Sequence, residues 1–298
     1  MLSILIPTAN YSAFPLAKEL SAQAQELNWE IEILVSDNSQ DEILQENLNL
    51  ERLPLTKLYT PDHLKGRSAN RNFLIQRSTY KNILFIDSDS KVLSKEYLSA
   101  YLTHLEGNAS KIIYGGRVHS QVPPTKKSLL RWKYGRFVED KNAQKRASKP
   151  YRSLLFNNTV MPKEVVLDTS LFEESLEKYG HEDTLLAYHM MKHQIPVLHI
   201  DNPIQHDHIE SNAIFLRKSE EAIENLHYIV KHQLIGYDFT RLSRLHHTLK
   251  AWRVDRAFAH LYKNYRPKLS AHLVSENPSL YIFNLYKLSY FCHLDLKK

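Results

Sequence analysis

Through residue 114 the chain alternates between short apolar runs and stretches with helical spacing, and this alternation limits the fold more than any other feature. Leu2–Pro7, Ile31–Ser36, Leu55–Thr60, Asn82–Ile86 and Lys111–Tyr114 read as strands. Phe14–Leu27 puts Leu16, Leu20, Ala24 and Leu27 on one side, the spacing of an amphipathic helix. Asp41–Leu48, Ser68–Arg77 and Lys95–Leu105 read as further helices. Strands separated by helices point to an α/β fold whose sheet is mainly parallel and flanked by helices. In such sheets ligands sit at the carboxyl ends of the strands.

At 298 residues the chain has room for one large α/β domain plus an appendage, or for two modest domains. From Ser211 onward it reads as helices: Ala213–Leu234, Phe239–Tyr262, and Pro278–Leu296 with its dense aromatic set. We therefore place a boundary at 210, with a catalytic-type α/β domain over 1–210 and a helical extension over 211–298. Residues 121–152 carry ten Lys or Arg against only Glu139 and Asp140, and read as a mobile basic segment or a solvated insertion.

A single cysteine, Cys292, excludes an internal disulfide and fits a reducing compartment. The start MLSILIPTAN lacks the basic segment and cleavage site of a signal peptide, and no run reaches the ~18 apolar residues of a membrane span. The expectation is a cytoplasmic protein, at most peripheral to the inner face of a membrane. The net charge of +6 suits anionic substrates or membrane phosphates. No nucleic-acid-binding module accompanies the basic stretches, so nucleic acid is not an expected partner.

The chemistry concentrates where strands end. Ile83-Leu84-Phe85-Ile86 runs directly into Asp87-Ser88-Asp89. Two carboxylates this close repel unless a cation relieves them, and oxygen ligands suit Mg²⁺ or Mn²⁺. The same residues also serve as ordinary turn formers. Glu182 and Asp183 open a helical stretch, where acids are stabilised by the dipole or act as a general base. His206-Asp207-His208 offers metal-ligating imidazoles or plain polar surface. Pro7-Thr8-Ala9-Asn10 and Asp37 follow the first two strands, where a carboxylate can accept hydrogen bonds from a base or ribose. Gly66-Arg67-Ser68-Ala69-Asn70-Arg71-Asn72 is a helix start able to approach phosphate, or one capped by Ser68.

Taken in order, the IPTxN start, the Asp after strand two, the GRSANRN helix, the IDSDS strand end and the GHED helix start resemble the family 2 glycosyltransferases of GT-A fold, which are inverting and nucleotide-sugar dependent. The resemblance spans roughly residues 1–210. It implies a Rossmann-like GT-A fold and a nucleoside site formed by Pro7, Thr8, Asn10 and Asp37, with Asp37 holding the base, typically uracil. It implies that Arg71 lies near the nucleotide, that Asp89 coordinates Mn²⁺ or Mg²⁺, and that Asp87 touches the ribose or the metal shell. Asp183 matches the general base and Glu182 the acid that helps position the acceptor. His206 or His208 matches a late metal ligand, and Phe156-Asn157-Asn158-Thr159 the acceptor side. The implied donor is a nucleotide diphosphate sugar, a UDP-sugar above others. The implied acceptor is a hydroxyl of a glycan or lipid-linked molecule, in surface polysaccharide or lipopolysaccharide synthesis. One departure is Val35-Ser36-Asp37-Asn38-Ser39, where the family often has Val-Asp-Asp-Gly-Ser.

Rival readings fit less well. A metal-dependent phosphatase or phosphotransferase with an Asp-x-Asp nucleophile usually carries it after the first strand, and here three precede it. A nucleotidyltransferase would show a glycine-rich loop after strand one, and Thr8–Phe14 has no glycine. A degenerate sugar-nucleotide-binding subunit would not need Asp87, Asp89 and Asp183 together. In the C-terminal helices, Arg241, Arg244, Lys250, Arg253 and Arg256 with Tyr281–Phe291 form either a basic-aromatic membrane-surface patch or a helical cap or homodimer contact.

Overall fold

The computed structural model describes residues 1–39, 42–62, 64–106 and 111–296. Its strands are β1 (Leu2–Thr8), β2 (Ile31–Asp37), β3 (Thr56–Tyr59), β4 (Asn82–Ile86), β5 (Ser90–Val92), β6 (Ile112–Tyr114), β7 (Arg117–His119), β8 (Asn158–Pro162), β9 (Val197–His199) and β10 (Ile204–His206). Its α-helices are α1 (Phe14–Gln25), α2 (Glu42–Asn47), α3 (Gly66–Arg77), α4 (Tyr97–Leu105), α5 (Leu129–Tyr134), α6 (Ala143–Ala147), α7 (Lys163–Thr169), α8 (Glu182–Lys192), α9 (Asn212–Lys231), α10 (Arg241–Ala251), α11 (Asp255–Val274) and α12 (Leu280–Leu296). Asp41, the expected first residue of the second helix, lies outside the described residues.

The chain divides into two compact units: Met1–His119 with Asp140–Glu177 and His189–His208, and Ser120–Glu139 with Lys178–Tyr188 and Ile209–Lys298.

The first unit holds both sheets. Seven strands run in the order β3-β2-β1-β4-β8-β6-β9, and β5-β10-β7 form a second, three-stranded sheet. β1 pairs in parallel with both β2 and β4, while β8 is antiparallel to β4 and β6. The fold is thus the mixed, mainly parallel α/β type. From β1 the chain moves outward to β2 and β3, then returns to lay β4 on the other side of β1. That reversal opens a crevice between the carboxyl ends of β1 and β4, the usual place for a ligand in such sheets. Alternate residues of the strands (Leu2, Ile4 and Ile6; Leu84 and Ile86) share one core with Leu16 and Leu20 of α1 and Leu98 and Leu102 of α4. Phe85 points the other way and meets Phe156 and Phe172 edge-to-face at 6.3 and 5.5 Å.

The second unit is helical. Tyr134, Phe215 and Phe283 pack together with centroids 5.5–5.7 Å apart. The carboxylate of Glu220 on α9 accepts from Tyr286 of α12 and, at 3.2 Å, from Arg266 of α11.

Two sequence expectations need correction. Residues 121–152 are not a mobile loop: they form the helices α5 and α6, and two of their charges are used internally. Arg146 is 4 % exposed, donates to the carbonyls of Gly115 and Ile200, and stacks on Tyr114. Arg131 is 5 % exposed and pairs with Glu139 at 2.9 Å. The expected single helix over Phe239–Tyr262 is two helices, α10 and α11, broken where Arg253 takes φ +59°. The short strands β5, β7, β8 and β10 had no separate signal in the sequence.

Candidate active site

The carboxyl ends of β1, β2 and β4 carry the expected donor residues, and the structure separates those that build the loops from those that face outward. Thr8 is buried, and its hydroxyl donates to the carbonyl of Tyr11 at 2.8 Å. Asp37, 2 % exposed, accepts from the backbone N–H of Ser39 at 2.6 Å and from the amide of Asn47. Asn47 in turn accepts from the N–H of Ala13 at 2.9 Å. Asp37 therefore ties the loop after β2 to the loop after β1. Asn10 is exposed, sits at φ +55°, and is held by Ser39 Oγ, which accepts from its N–H at 2.5 Å. Asn is among the few non-glycine residues that tolerate that conformation. Pro7, half-buried, lies inside β1, one residue before its end.

The repulsion between Asp87 and Asp89 is relieved by separate partners. Gly66 opens α3 at φ +77°, close to the backbone of Glu177, and the helix that follows puts Arg67 and Arg71 four residues apart on one face. Arg67 reaches Asp87 Oδ2 at 2.7 Å and Arg71 reaches Oδ1 at 3.1 Å. Arg71 is 1 % exposed and lies over the ring of Phe172 at 5.0 Å. Its place is behind Asp87, whereas Arg67 is 40 % exposed in its side chain. Burial opposes ionisation of Asp87, but the two guanidinium groups outweigh it and hold the carboxyl below its usual range.

Asp89 is served from the second sheet. A turn closed by the Ser90 N–H on the Asp87 carbonyl leads into β5, which pairs antiparallel with β10 so that His206 faces Ser90. This brings His206 Nε2 to 3.1 Å from Asp89 Oδ2. Burial again opposes ionisation, and the hydrogen bond and charge of His206, with Arg67 and Arg117, keep Asp89 strongly acidic. Asp89 Oδ1 and His206 Nδ1 are both buried without a hydrogen-bond partner. His208 is exposed, its ring edge-on to Tyr11 at 5.5 Å. His119 of β7 stands beside His206, ring centroids 5.4 Å apart, with Nδ1 2.7 Å from Asp140 Oδ1.

The donor set fits a hard divalent cation at Asp89. One carboxylate oxygen is orphaned in a buried place, the group stays anionic, and a neighbouring imidazole can join it. Asp87 is differently committed, since each of its oxygens already holds a guanidinium.

Glu182 and Asp183 lie in the second unit, in the first turn of α8. Gly180, at φ +96°, has no room for a Cβ, which would stand 2.7 Å from that of Ala222. Asn225 of α9 donates to the carbonyls of Lys178 and Gly180 at 3.0 and 2.8 Å. His181, at φ +70°, turns its Nδ1 to Thr184 Oγ1 at 3.0 Å. Glu182 is 5 % exposed and Asp183 more so.

Sequence reasoning offered Arg67 only within a helix start able to approach phosphate, though its spacing from Arg71 was the signal for a shared partner. It also placed Asn158 on the acceptor side. In the structure Asn158 is fully buried: its Oδ1 accepts from Tyr97 and Tyr101 at 2.6 Å, and its Nδ2 donates to the carbonyls of Gly116 and Asn202. It is a satisfied core amide. The contribution of His119 and Asp140 had no local signal, because only the pairing of β7 with β10 brings them to His206.

The mixed sheet with the acid pair after β4 is of the GT-A type. The chain belongs to glycosyl transferase family 2, whose model matches residues 3–161. It is a glycosyltransferase. Its fold is similar to that of a mannosyltransferase, PcManGT, from Pyrobaculum calidifontis, solved with GDP-Man and Mn²⁺ (11 % identity, 98 % of this chain and 84 % of that one, TM-score 0.56). It is also similar to S. aureus TarS 1-349 solved with UDP-GlcNAc (15 % identity, 99 % and 91 %, TM-score 0.51). A third similar fold is mannosyl-3-phosphoglycerate synthase from Rubrobacter xylanophilus (12 % identity, 79 % and 76 %, TM-score 0.54). No curated protein matches the sequence. Among the described residues no helix is long and apolar enough to cross a membrane.

Proposed function

We propose that this glycosyltransferase moves a sugar, with inversion, from a UDP-sugar to a hydroxyl of a glycan or lipid-linked acceptor. The observation that carries the reading is Asp89. It is a partly buried, anionic carboxylate with one buried, orphaned oxygen, set beside His206 where β5 begins and β10 ends. Asp89 and His206 are the residues that would hold Mn²⁺ or Mg²⁺, which when bound supplies positive charge to a leaving diphosphate. Arg67, partly exposed and already paired with Asp87, adds a cation on the same side. Asn10 and the loop that Asp37 organises form the place for the nucleoside. Support for the donor comes from the UDP-GlcNAc and GDP-Man of the similar structures.

Asp183 takes the proton from the acceptor hydroxyl as that oxygen attacks the anomeric carbon. The assignment rests on its sequence motif, and on Asp183 being the more exposed of the two acids that open α8. The buried Glu182 acts as a positioning group. A single displacement needs no nucleophilic side chain, and Cys292 is accordingly a buried thiol.

Calorimetric titration with UDP, against GDP and TDP, with and without Mn²⁺, tests the donor half. UDP binds in a Mn²⁺-dependent way, and Asp89→Ala loses both that binding and on the order of 10³-fold of transfer rate. Absence of nucleotide binding in every condition sinks the reading.

A further inference from the structure

The helical unit contains a second constellation that the transfer reaction does not use. His227 of α9, His246 of α10, Asp255 at the start of α11 and Asp295 of α12 come from four different helices. One donor atom each of His246, Asp255 and Asp295 lies within 4.8 Å of the other two. His227 Nε2 stands 3.6 Å from Asp295 Oδ1, and His246 Nε2 stands 3.6 Å from Oδ2.

Neither spacing makes a hydrogen bond. Both imidazole nitrogens are buried without a partner, and His246 as a whole is only 6 % exposed. A chain that buries two imidazole nitrogens against one carboxylate, yet bonds none of them, leaves a gap of a definite size. Donor atoms bound at about 2.0–2.1 Å to one tetrahedral ion stand about 3.4 Å apart. The two 3.6 Å spacings from the imidazoles to Asp295 lie close to that figure.

We propose that the second unit holds a divalent cation of the Zn²⁺ class at this four-helix junction, ligated by His227, His246, Asp255 and Asp295. Two imidazoles and two carboxylates are a set that such an ion accepts. Phe291 packs on both imidazoles at 5.6 and 4.9 Å and gives the site an apolar wall. A lysine already reaches the site. Lys250 Nζ is 2.7 Å from Asp295 Oδ2, on a side chain 57 % exposed that can swing into solvent when an ion enters. With one ligand per helix, the ion pins α9, α10, α11 and α12 together, a structural role separate from the donor site.

The test uses full-length protein carrying Asp89→Ala, so that metal held for the donor is not counted. After chelation, the protein is equilibrated with Zn²⁺ and desalted, and metal is measured by mass spectrometry. One Zn²⁺ per chain is expected. Co²⁺ in its place gives the visible bands of a tetrahedral N/O site without sulfur charge transfer. His246→Gln, and separately His227→Gln, lower Zn²⁺ affinity on the order of 100-fold and abolish the metal-induced rise in Tm. Zinc retained by the unsubstituted chain but not by Asp89→Ala places the ion at the donor site and overturns the proposal. So does zinc retention that both histidine variants leave unchanged. Because Asp89→Ala alone already decides whether a second ion exists, misfolding of a histidine variant does not rescue the idea.

Discussion

The carboxylates of Asp87 and Asp295 are both buried or nearly so, both remain ionised, and are neutralised by different means. Asp87 is held by two guanidinium groups, one of them 1 % exposed and locked on Phe172. Asp295 faces an exposed lysine and two imidazoles whose pKa burial lowers. An arginine cannot lose its proton in the working pH range, so Asp87 is fixed in charge and place. The surroundings of Asp295 can change charge or exchange a cation. The difference fits the tasks: a turn that must present Asp89 in one geometry, and a junction of helices that can be tightened by an ion.

Breaking the first arrangement gives the largest effect. Arg71→Met strands one oxygen of a buried carboxylate, and destabilisation of about 3 kcal/mol is expected, read as a lower midpoint in urea unfolding. Arg67 remains to prevent complete loss of charge balance. A midpoint unchanged by Arg71→Met would mean that Asp87 is not pinned in this way, and the contrast with Asp295 would fail.

The next prediction asks whether titratable packing belongs to the helical unit alone. His199 of β9, 7 % exposed, has Nδ1 facing the Nε of Arg146 at 3.4 Å and Nε2 on the Pro150 carbonyl at 3.1 Å. Burial, helped by Arg146, lowers its pKa to about 4. The folded value lies below the unfolded 6.5, so the stability it contributes is fully present above pH 6.5 and is lost as pH falls toward 4. Discounted for screening, the contribution is on the order of 2 kcal/mol. In Tm measured from pH 7 to pH 4, His199→Gln flattens the decline. If the decline is unaltered, acid sensitivity comes from elsewhere, the imidazoles at Asp295 first among the candidates.

The strand–helix alternation was legible because β1, β2 and β4 are continuous apolar runs buried on both faces, the signature of a central parallel sheet. The acid pair was legible because it directly follows such a run. What sequence could not show was the company each acid keeps. His206 meets Asp89 only through the pairing of two three-residue strands, β5 and β10, too short to carry a periodic signal. The same holds for Asp37, whose motif points to a base contact while its carboxylate is occupied in joining two loops. The basic run 121–152 misled for a related reason: charge counts as solvated only until a buried carbonyl or carboxylate accepts from it, as with Arg131 and Arg146.

The smallest effect sharpens the comparison from the other side. Lys250 touches Asp295 at 2.7 Å, as close as Arg67 touches Asp87, so distance alone would rank the two pairs as equals. The second partner separates them: Asp87 also holds the buried Arg71, whereas among the described residues Asp295 has only Lys250 and two imidazoles. Lys250 is solvated, its flexible chain loses entropy on pairing, and salt screens the contact. Lys250→Met therefore costs less than about 1 kcal/mol in metal-free protein, measured by chemical unfolding at moderate ionic strength. The same variant removes a mobile cation that competes for Asp295, so Zn²⁺ affinity at the four-helix junction rises rather than falls. A large loss of stability in metal-free Lys250→Met would mean that the lysine, not an exchangeable ion, is the counter-charge the helices were built around.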